Sequence, residues 1–430
     1  MAVFLDSALK GKQGRYSYIA VDPFRTLRCS PAPWRVSIDG AASAADPFMA
    51  LAAELARYRI VNAGPVPFSG GAIGVFAYEL GGVLEKLPAP KDTPWPADMV
   101  VGLYDTVAAF DLKARKAWVI AHDLSEGRPS AAARAEALAA ALGNVLPQPA
   151  AVLGTWQAET MRAQQEARIT ATIETIRRGD IYQANITQKF TAQIPAAAHS
   201  YDLYLRLRAA APGPFGAFVN AGGGFHILSA SPERFLSLTS KGQVETRPIK
   251  GTRPRGATPA QDAALAAELC ASAKDRAENL MIVDLLRNDL SKVCEPGSID
   301  VPVLCGLESF PAVLHLVSVV TGRLRESAGA VDLLRAAFPG GSITGAPKIK
   351  AMETIHALEP STRGPYCGTV AWLGFDGAMD SSIVIRTLVR VGATLTAQAG
   401  GGIVAESDPA LEYEESVLKV KPLLGVLENP

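Results

Sequence analysis

A run of strand-like segments near the end of the sequence limits the possible folds more than any other feature. Residues 366–373, 381–391 and 394–399 each show the pattern of a strand, and they follow one another directly. Strands that come in runs, with helices gathered between the runs, favour an α+β fold over a doubly wound sheet.

The segments before this run add helices and a hairpin. Residues 169–176 carry isoleucines at helical spacing, and Gly179 suits the end of that helix. Residues 181–190 alternate like a strand with one apolar and one polar face. Residues 217–229 form two short strand patterns around a glycine-rich turn, and residues 259–290 predict a helical stretch.

The sequence divides into two regions that differ in their pattern of predicted strands and helices. Residues 1–142 contain short strand-like segments and close with an alanine-rich helical stretch at 130–142. Residues 143–154 are rich in turn formers and predict a connector, after which residues 155–430 form the second region. The two regions are compatible with separate domains or with one shared core.

Composition excludes several functional classes. The chain has 430 residues, 48% of them hydrophobic, which is enough to bury a large core. Lys plus Arg equals Asp plus Glu, at 42 each, so no overall field favours nucleic acid or an anionic membrane. We find neither a signal peptide nor an apolar stretch of membrane-spanning length. Five scattered cysteines without a C-x-x-C pair indicate reduced thiols in a cytoplasmic protein: Cys29, Cys270, Cys294, Cys305 and Cys367.

Two pairs of acids have helical spacing. Asp275 and Glu278 share one helix face, as do Glu412 and Glu415, with Lys419 one turn further on. Together the two pairs are able to hold a hard cation, since Mg²⁺ commonly takes one or two protein carboxylates and completes its shell with water and an anionic substrate. From the spacing alone, two solvated helix faces are the favoured explanation.

Two glycine-rich segments suit a bound ligand. Residues 339–348 precede a helical pattern that Ser342 or Thr344 is suited to cap, and the free N–H groups at its start would suit an anion. The segment Gly400–Gly402 follows a strand and would let the backbone approach a ligand closely. Tight turns are the alternative for both segments.

Lys250 lies in a segment rich in arginine, between Arg247 and Arg253. A lysine among arginines can have a lowered pKa, which leaves a neutral amine able to attack carbon. A basic surface loop is the ordinary alternative. His315 lies in an apolar run, where a buried structural histidine is the common case. The chain contains no nucleophile elbow of the kind a glutaminase needs.

Taken together, these segments resemble the chorismate-utilising enzymes, a family that contains anthranilate synthase component I, aminodeoxychorismate synthase component I, and the isochorismate and salicylate synthases. The resemblance is carried, in order between about residues 155 and 421, by GDIYQANITQKF, SASPERFL, ETRPIKGTRPRG, AENLMIVDLLRNDL, HLVS, PGGSITGAPKIKAME, RGPYCG, IVIRTL and GGGIVAESDPALEYEESVLK. A weaker resemblance in the first region is carried by FLDS, GRYSYIAVDP and PFSGGAIGVFAYE. It implies a large α/β sandwich of antiparallel sheets with helices outside.

The resemblance also implies roles. Glu278 and Glu415 match Mg²⁺ ligands, with Asp275 and Glu412 as nearby acids, and Glu233 matches a general acid. Positions that match the binding site for the substrate, chorismate, are Gly251, Thr252, His315, Thr344, Tyr366, Arg386, Gly400, Gly401, Gly402 and Lys419. Burying the two carboxylates of chorismate requires positive charge, which Mg²⁺ at one end and Arg386 at the other would supply.

Two positions, Lys250 and Gln183, discriminate within the family, and Asn279 is a departure that adds mild support. Lys250 stands where anthranilate synthases carry Ala and where the enzymes that aminate chorismate at C4 often carry Lys. Gln183 stands where isochorismate and salicylate synthases place a lysine base, and a neutral Gln cannot serve as that base. Asn279 stands where anthranilate synthases usually carry His. The resemblance therefore implies formation of 4-amino-4-deoxychorismate, on the route to p-aminobenzoate and folate, from ammonia that a separate glutamine amidotransferase subunit supplies.

Two alternatives remain at this stage. The first is anthranilate synthase component I, which Lys250 disfavours. The second is a catalytically dead regulator that binds tryptophan, because six residues resemble parts of the family's tryptophan pocket: Leu5, Ser7, Tyr16, Ser17, Pro214 and Phe215. Ordinary core packing explains those six residues as well.

Overall fold

A computed structural model describes residues 1–9, 11, 13–60, 64–143, 153–311 and 313–428. The helices are α1 (Pro47–Ala56), α2 (Gly81–Leu84), α3 (Ala131–Leu142), α4 (Arg162–Arg177), α5 (Ser200–Ala210), α6 (Pro259–Ala271), α7 (Ala273–Ser291), α8 (Ala330–Ala337), α9 (Lys348–Leu358) and α10 (Pro409–Leu424). None of the helices in this described part is long and apolar enough to cross a membrane.

The strands, in chain order, are β1 (Ala2–Asp6), β2 (Tyr16–Val21), β3 (Arg25–Cys29), β4 (Val36–Ile38), β5 (Ala41–Ser43), β6 (Gly71–Phe76), β7 (Met99–Tyr104), β8 (Thr106–Asp111), β9 (Lys116–Ala121), β10 (Trp156–Ala158), β11 (Gln183–Gln193), β12 (Phe215–Asn220), β13 (Phe225–Ser231), β14 (Arg234–Leu238), β15 (Gln243–Thr246), β16 (Ile249–Pro254), β17 (Asp300–Ser309), β18 (Val313–Arg323), β19 (Gly345–Ala346), β20 (Thr369–Gly374), β21 (Met379–Ile383), β22 (Thr387–Val391) and β23 (Thr394–Ile403).

The strands form two large antiparallel sheets. The first has the order β10-β11-β23-β22-β13-β12-β1-β2-β8-β9, with β19 beside β11. The second has the order β16-β18-β15-β14-β21-β20-β6-β7-β3-β4-β5, with β17 beside β18. The α+β class and the antiparallel sandwich that the sequence predicts are confirmed.

In each sheet, strands from the first part of the chain (β1–β9) form one block, which pairs along one edge with a block of later strands (β10–β23). β1 pairs with β12 in the first sheet, and β6 pairs with β20 in the second. The two regions therefore share their sheets. The boundaries at residues 1–142, 143–154 and 155–430 stay predictions, and residues 144–152 of the connector lie outside the described residues.

The cores lie between and outside the sheets. Val3, Tyr18 and Val219 of the first sheet pack against Ile73 and Val370 of the second, which fills the sandwich. Helices α1, α7 and α8 cover the outer face of the second sheet, whereas α5 and α10 cover the first, and α4 and α9 pack against β11 of the first sheet. Full burial of one apolar side chain such as Leu423 of α10 is worth about 1.5–3 kcal/mol, so the sheets fix the position of this helix.

Local signals explain where the helices begin. The predicted helical stretch at 259–290 is divided in two at Ser272, whose hydroxyl accepts a hydrogen bond from the N–H of Asp275 and caps α7. Asp408 caps α10 in the same way, with Pro409 at the first helical position. The cap predicted for α9 is wrong, because Pro347 holds that position and no side chain caps the helix.

Candidate active site

A cavity of about 160 Å³ lies where β11, β16, β18, β23 and α10 meet. It brings together residues that are up to 234 positions apart, from Asn185 to Lys419. The predicted residues that line it are Glu233, Lys250, Thr252, His315, Tyr366, Arg386, Gly400, Gly402 and Lys419. Nine of the positions that the sequence singled out for chemistry therefore line one cavity.

The segment Gly400–Gly402 belongs to strand β23 and does not form a turn after a strand. Gly400 lies within β23, opposite Thr187 of β11. A Cβ atom on Gly400 would lie 2.2 Å from the carbonyl oxygen of Ile186, so only glycine allows the two strands to pair this closely. Because these glycines have no side chains, the backbone of β23 itself lines this side of the cavity.

Lys250 and Glu233 face each other across Ser342. The amine of Lys250 donates a hydrogen bond to the carbonyl oxygen of Ser342 at 3.1 Å. Burial raises the pKa of Glu233, although the hydrogen bond with Ser342 and the charge of Lys250 oppose that shift. A carboxyl held toward its protonated form is suited to donate a proton.

Burial also lowers the pKa of Lys250, against the opposing effect of Glu278 and Glu233. The direction agrees with the sequence prediction, but the cause does not. Arg247 pairs with Glu308, and Arg253 pairs with Glu268 and Asp275, so the arginines are neutralised by acids of their own. Lys250 belongs to strand β16 and not to a basic surface loop.

Arg386 is the cation at the other end of the cavity. Its backbone adopts φ of +49°, in the left-handed region between β21 and β22, which interrupts the strand predicted at 381–391. Burial lowers the pKa of its guanidinium, and among the described residues this side chain has no hydrogen-bond or ion-pair partner. An unpaired, partly buried guanidinium in a strained backbone is a ready site for a carboxylate.

His315 lines the cavity as a neutral ring. Its Nδ1 atom lies 2.8 Å from the hydroxyl of Thr252, and the ring of Phe310 packs edge-on against it at 5.4 Å. Burial, reinforced by the charge of Arg386, lowers the pKa of His315 to about 4. The ring is therefore uncharged at neutral pH and acts as a hydrogen-bonding group rather than as a cation.

The four predicted acids lie on α7 and α10 beside the cavity. Glu415 pairs with Lys419 at 2.7 Å, Glu412 with Lys274 at 3.3 Å, and Asp275 with Arg253 at 3.3 Å. Burial raises the pKa of Glu278, and the neighbouring acids add to that shift while Lys250 and Lys274 oppose it. These acids are not two solvated surface pairs, because cations converge on them from three elements.

The donor set fits Mg²⁺ when substrate completes it. A Cβ atom on Gly401 would lie 3.2 Å from Oε2 of Glu412 and 3.9 Å from Oε1 of Glu415, so the glycine leaves space in front of both carboxylates. Within the described ranges, no three His, Cys, Asp or Glu side chains are grouped closely enough to hold a metal alone. Mg²⁺ commonly needs only one or two carboxylates besides water and an anionic substrate.

Three predicted residues lie beside the cavity rather than in its lining. Gly251 backs onto Asp275, whose Cβ lies 3.0 Å from where a Cβ of this glycine would stand. Gly401 faces the carboxylates of Glu412 and Glu415. Thr344 is fully buried, and its hydroxyl donates to the carbonyl oxygen of Gly340 at 2.9 Å.

The sequence prediction did not include several residues that line the cavity. Asn185 belongs to the polar face of β11, a face that is buried here although alternation usually marks a solvated face. Gln398 lines the cavity and donates to the carbonyl oxygen of Arg363 at 2.9 Å. The polar face of β11 was the available signal for Asn185, and the glycine-rich segment 339–348 was the signal for Ser342 and Ile343, whereas Ile385 carries none.

A larger cavity of about 640 Å³ lies between the sheets. Of the residues predicted for a tryptophan pocket, it is lined by Leu5, Ser7, Tyr16, Pro214 and Phe215. Ser17 lies behind this lining, where its hydroxyl accepts a hydrogen bond from the N–H of Ser7 at 3.0 Å. These residues are gathered in one place, but tryptophan binding stays a prediction.

A solved structure and a family model identify the class to which this fold belongs. The crystal structure of anthranilate synthase component I from Streptococcus pneumoniae TIGR4 matches it with a TM-score of 0.86 and 30% sequence identity, covering 97% of this chain and 93% of that one. A family model described as chorismate binding enzyme matches residues 6–425. The chain therefore belongs to the chorismate binding enzyme family.

Relatives within this family carry two different names. Aminodeoxychorismate synthase component 1 of Klebsiella aerogenes is 45% identical over 90% of this chain and 84% of its own length. Anthranilate synthase component 1 of Streptomyces coelicolor is 38% identical over 98% of this chain and 82% of its own length.

Proposed function

We propose that the chain converts chorismate and ammonia to 4-amino-4-deoxychorismate, on the route to p-aminobenzoate and folate. The observation that carries the proposal is the amine of Lys250 inside the cavity, close to Glu233 and with a pKa lowered by burial. The name of the Klebsiella aerogenes relative supports the same activity.

Amination at ring C4 with overall retention is explained by two successive displacements. In the first, the Lys250 nitrogen bonds to C2, both ring double bonds shift by one position toward C4, and the C4–O bond breaks. Glu233 gives its proton to the departing hydroxyl, which leaves as water. In the second, ammonia bonds to C4, both double bonds shift back, and the C2–N bond to Lys250 breaks. The excess proton of the bound nitrogen returns to Glu233, which restores the acid. Two easier substitutions thus replace one difficult one.

The remaining residues hold the substrate. Arg386, with Tyr366 beside it, would bind the enolpyruvyl carboxylate in a charge-assisted contact. Glu278 and Glu415, with Asp275 and Glu412 nearby, would hold Mg²⁺, which when bound would neutralise the ring carboxylate. Thr252 and the neutral His315 line the cavity between these ends. Both carboxylates of chorismate would then be paired with positive charge, as burial of a dianion requires.

The nitrogen source is proposed to be a separate glutamine amidotransferase subunit. Because the chain has no glutaminase nucleophile elbow, it should turn over chorismate with ammonium salts but not with glutamine. The purified chain alone should be assayed for chorismate turnover with each of the two nitrogen sources. Efficient glutamine-dependent turnover under those conditions would contradict the proposal.

The test of the central proposal is the intact mass of the protein after chorismate and Mg²⁺ are added without ammonia. We expect a covalent adduct that maps to Lys250 and is absent from Lys250→Ala, while Lys241→Ala, a change in an exposed turn, keeps it. With ammonia, Lys250→Ala should lose 4-amino-4-deoxychorismate and form a product aminated at C2. If Lys250→Ala makes 4-amino-4-deoxychorismate at the wild-type rate, the lysine only lines the cavity and anthranilate synthesis becomes the better proposal.

The larger cavity is proposed to bind tryptophan, and calorimetry with tryptophan would test this. Ser7→Ala should weaken any binding if the predicted residues form the pocket. A chain that binds tryptophan but never consumes chorismate would be the dead regulator that the sequence left open.

A further inference from the structure

Asn185 is a polar residue on the wall of the active-site cavity to which neither the motifs nor the proposed reaction assigns a role. It belongs to β11, and only 7% of its surface is exposed. Among the described residues its side chain has no hydrogen-bond or ion-pair partner. Buried polar side chains are normally paired, so this carboxamide indicates a partner that a ligand supplies.

The backbone of Asn185 is already fully paired. Its N–H donates to the carbonyl oxygen of Thr344 at 2.8 Å, and its own carbonyl oxygen accepts from the guanidinium of Arg363 at 2.5 Å. Gly402 of β23 stands opposite Asn185 in the sheet. These contacts fix the point from which the side chain projects, and only the carboxamide remains to bind a ligand.

The pairing with Gly402 places Asn185 near the proposed nucleophile. Side chains of directly opposed residues project from the same face of an antiparallel sheet, with Cβ atoms about 5 Å apart. A Cβ atom on Gly402 would lie 3.5 Å from the amine of Lys250. Asn185 therefore projects into the part of the cavity in which Lys250 would attack the ring.

Other uncharged polar groups of the lining are bonded to the protein itself. The hydroxyl of Thr252 lies 2.8 Å from Nδ1 of His315. The carboxamide of Gln398 donates to the carbonyl oxygen of Arg363 at 2.9 Å. The carboxamide of Asn185, which has no such bond in the described part of the chain, is thus available to an uncharged group of the substrate.

Chorismate has one uncharged group that both donates and accepts hydrogen bonds, the hydroxyl on C4. Its two carboxylates need positive charge instead, which Arg386 and Mg²⁺ are proposed to supply. A carboxamide also donates and accepts, so it matches the hydroxyl and, after the reaction, the amine that replaces it. C4 is separated by one ring atom from C2, the carbon that Lys250 would attack, so a group near Lys250 also lies near C4.

We propose that the carboxamide of Asn185 binds the C4 hydroxyl of chorismate and presents it to Glu233. The inference rests on the proposed function, because this hydroxyl is the group that the first displacement expels. The amide oxygen of Asn185 accepts the hydrogen of the hydroxyl, which leaves a lone pair of the hydroxyl oxygen free to take the proton of Glu233. Asn185 is thus a substrate-binding residue that selects ligands with an uncharged donor on C4.

The test measures dissociation constants for chorismate and for an analogue without the C4 hydroxyl, with Mg²⁺ and without ammonia. A Lys250→Ala background prevents the covalent step. Asn185→Leu and Asn185→Ala remove the carboxamide, the first at nearly constant volume. We expect the background protein to prefer chorismate, and each variant to lower that preference about two- to tenfold, as loss of one hydrogen bond would. Gln193→Leu is the matched control, because Gln193 carries a carboxamide at the exposed end of the same strand.

The outcomes separate the inference from the proposed function. A preference for chorismate that survives in both variants would show that Asn185 does not contact the C4 hydroxyl, and would overturn the inference. An equal loss of affinity for the two ligands would show a general structural effect and would overturn it too. A wild-type chain that forms no aminated product rejects the proposed function, whereas the change in preference still decides the role of Asn185.

Discussion

The amine of Lys419 lies 2.7 Å from Oε1 of Glu415, one helical turn away on α10. The same amine donates to the carbonyl oxygen of Gly400 at 3.1 Å. Lys419 therefore links the carboxylate of Glu415 to the backbone of β23. The lysine holds Glu415 at the edge of the cavity, where a metal shared with the substrate would need it.

Removing either proposed metal ligand should weaken Mg²⁺-dependent turnover. In Glu278→Ala or Glu415→Ala, the chorismate carboxylate would face acids that Mg²⁺ no longer neutralises, and the Mg²⁺ concentration for half-maximal turnover should rise at least tenfold. Glu414→Ala is the control, because Glu414 is exposed on the same helix and pairs with Arg162. A wild-type response to Mg²⁺ in both variants would reject the assignment.

Gly401→Ala should impair the metal response without unfolding the protein. The added Cβ would stand 3.2 Å from Oε2 of Glu412, a contact tight enough to push the carboxylate aside. Gly401 lies in a strand with ordinary extended backbone, so alanine itself is tolerated there. Titration of activity with Mg²⁺ measures the effect. Gly11→Ala, which adds a methyl group in open space, should leave the titration unchanged.

Arg386→Met should raise the KM for chorismate about 10- to 100-fold. A charge-assisted hydrogen bond is worth about 1.5–3 kcal/mol. Among the described residues the guanidinium has no other partner, so its removal costs only the contact with the substrate. Arg386→Lys should recover only part of the affinity, because one ammonium cannot bind a carboxylate bidentately. If Arg386→Met binds chorismate as the wild type does, the enolpyruvyl carboxylate lies elsewhere.

Stability should fall as the pH drops from 6.5 toward 4, in part because of His315. Its pKa is about 4 in the folded protein and has its ordinary value of 6.5 in the unfolded chain. Between these values the unfolded chain binds a proton that the folded protein does not, which costs up to about 3 kcal/mol. The free energy of unfolding at pH 5 and pH 7 measures this.

A comparison with His315→Gln isolates the contribution of the histidine. It is needed because burial raises the pKa of Glu79 to about 7, and that group stabilises the folded protein toward acid instead. The variant should lose less stability than the wild type over the same change of pH. An equal loss in both proteins would show that His315 does not titrate as described.

The sequence predicted the elements of the fold and the content of the site better than its geometry. The hairpin at 217–229 and the helices around Asp275 and Glu412 are present, because short-range patterns determine them. The pairing of the early block of strands with the late block, as in β6 with β20, depends on contacts nearly 300 residues apart that no local pattern records.

The site shows the same limit. Lys250 and Glu233 were found from motifs, but the cause of the lowered pKa of Lys250 was wrong, because the sequence shows neighbouring arginines and not the acids that pair with them. A separate cavity of about 60 Å³ has no signal in the sequence. It joins Tyr78 to Thr362, residues that are adjacent only in the folded protein.

The pairing of β6 with β20 also sets the order in which the protein can be made. While the chain is being synthesised, β6 is complete long before its partner, and all six of its residues are ones that the finished protein buries. Until β20 emerges, this strand offers an apolar, unpaired edge to other nascent chains. Neither sheet can close before nearly the whole chain has been translated, so successful production depends on keeping that early edge apart from its neighbours.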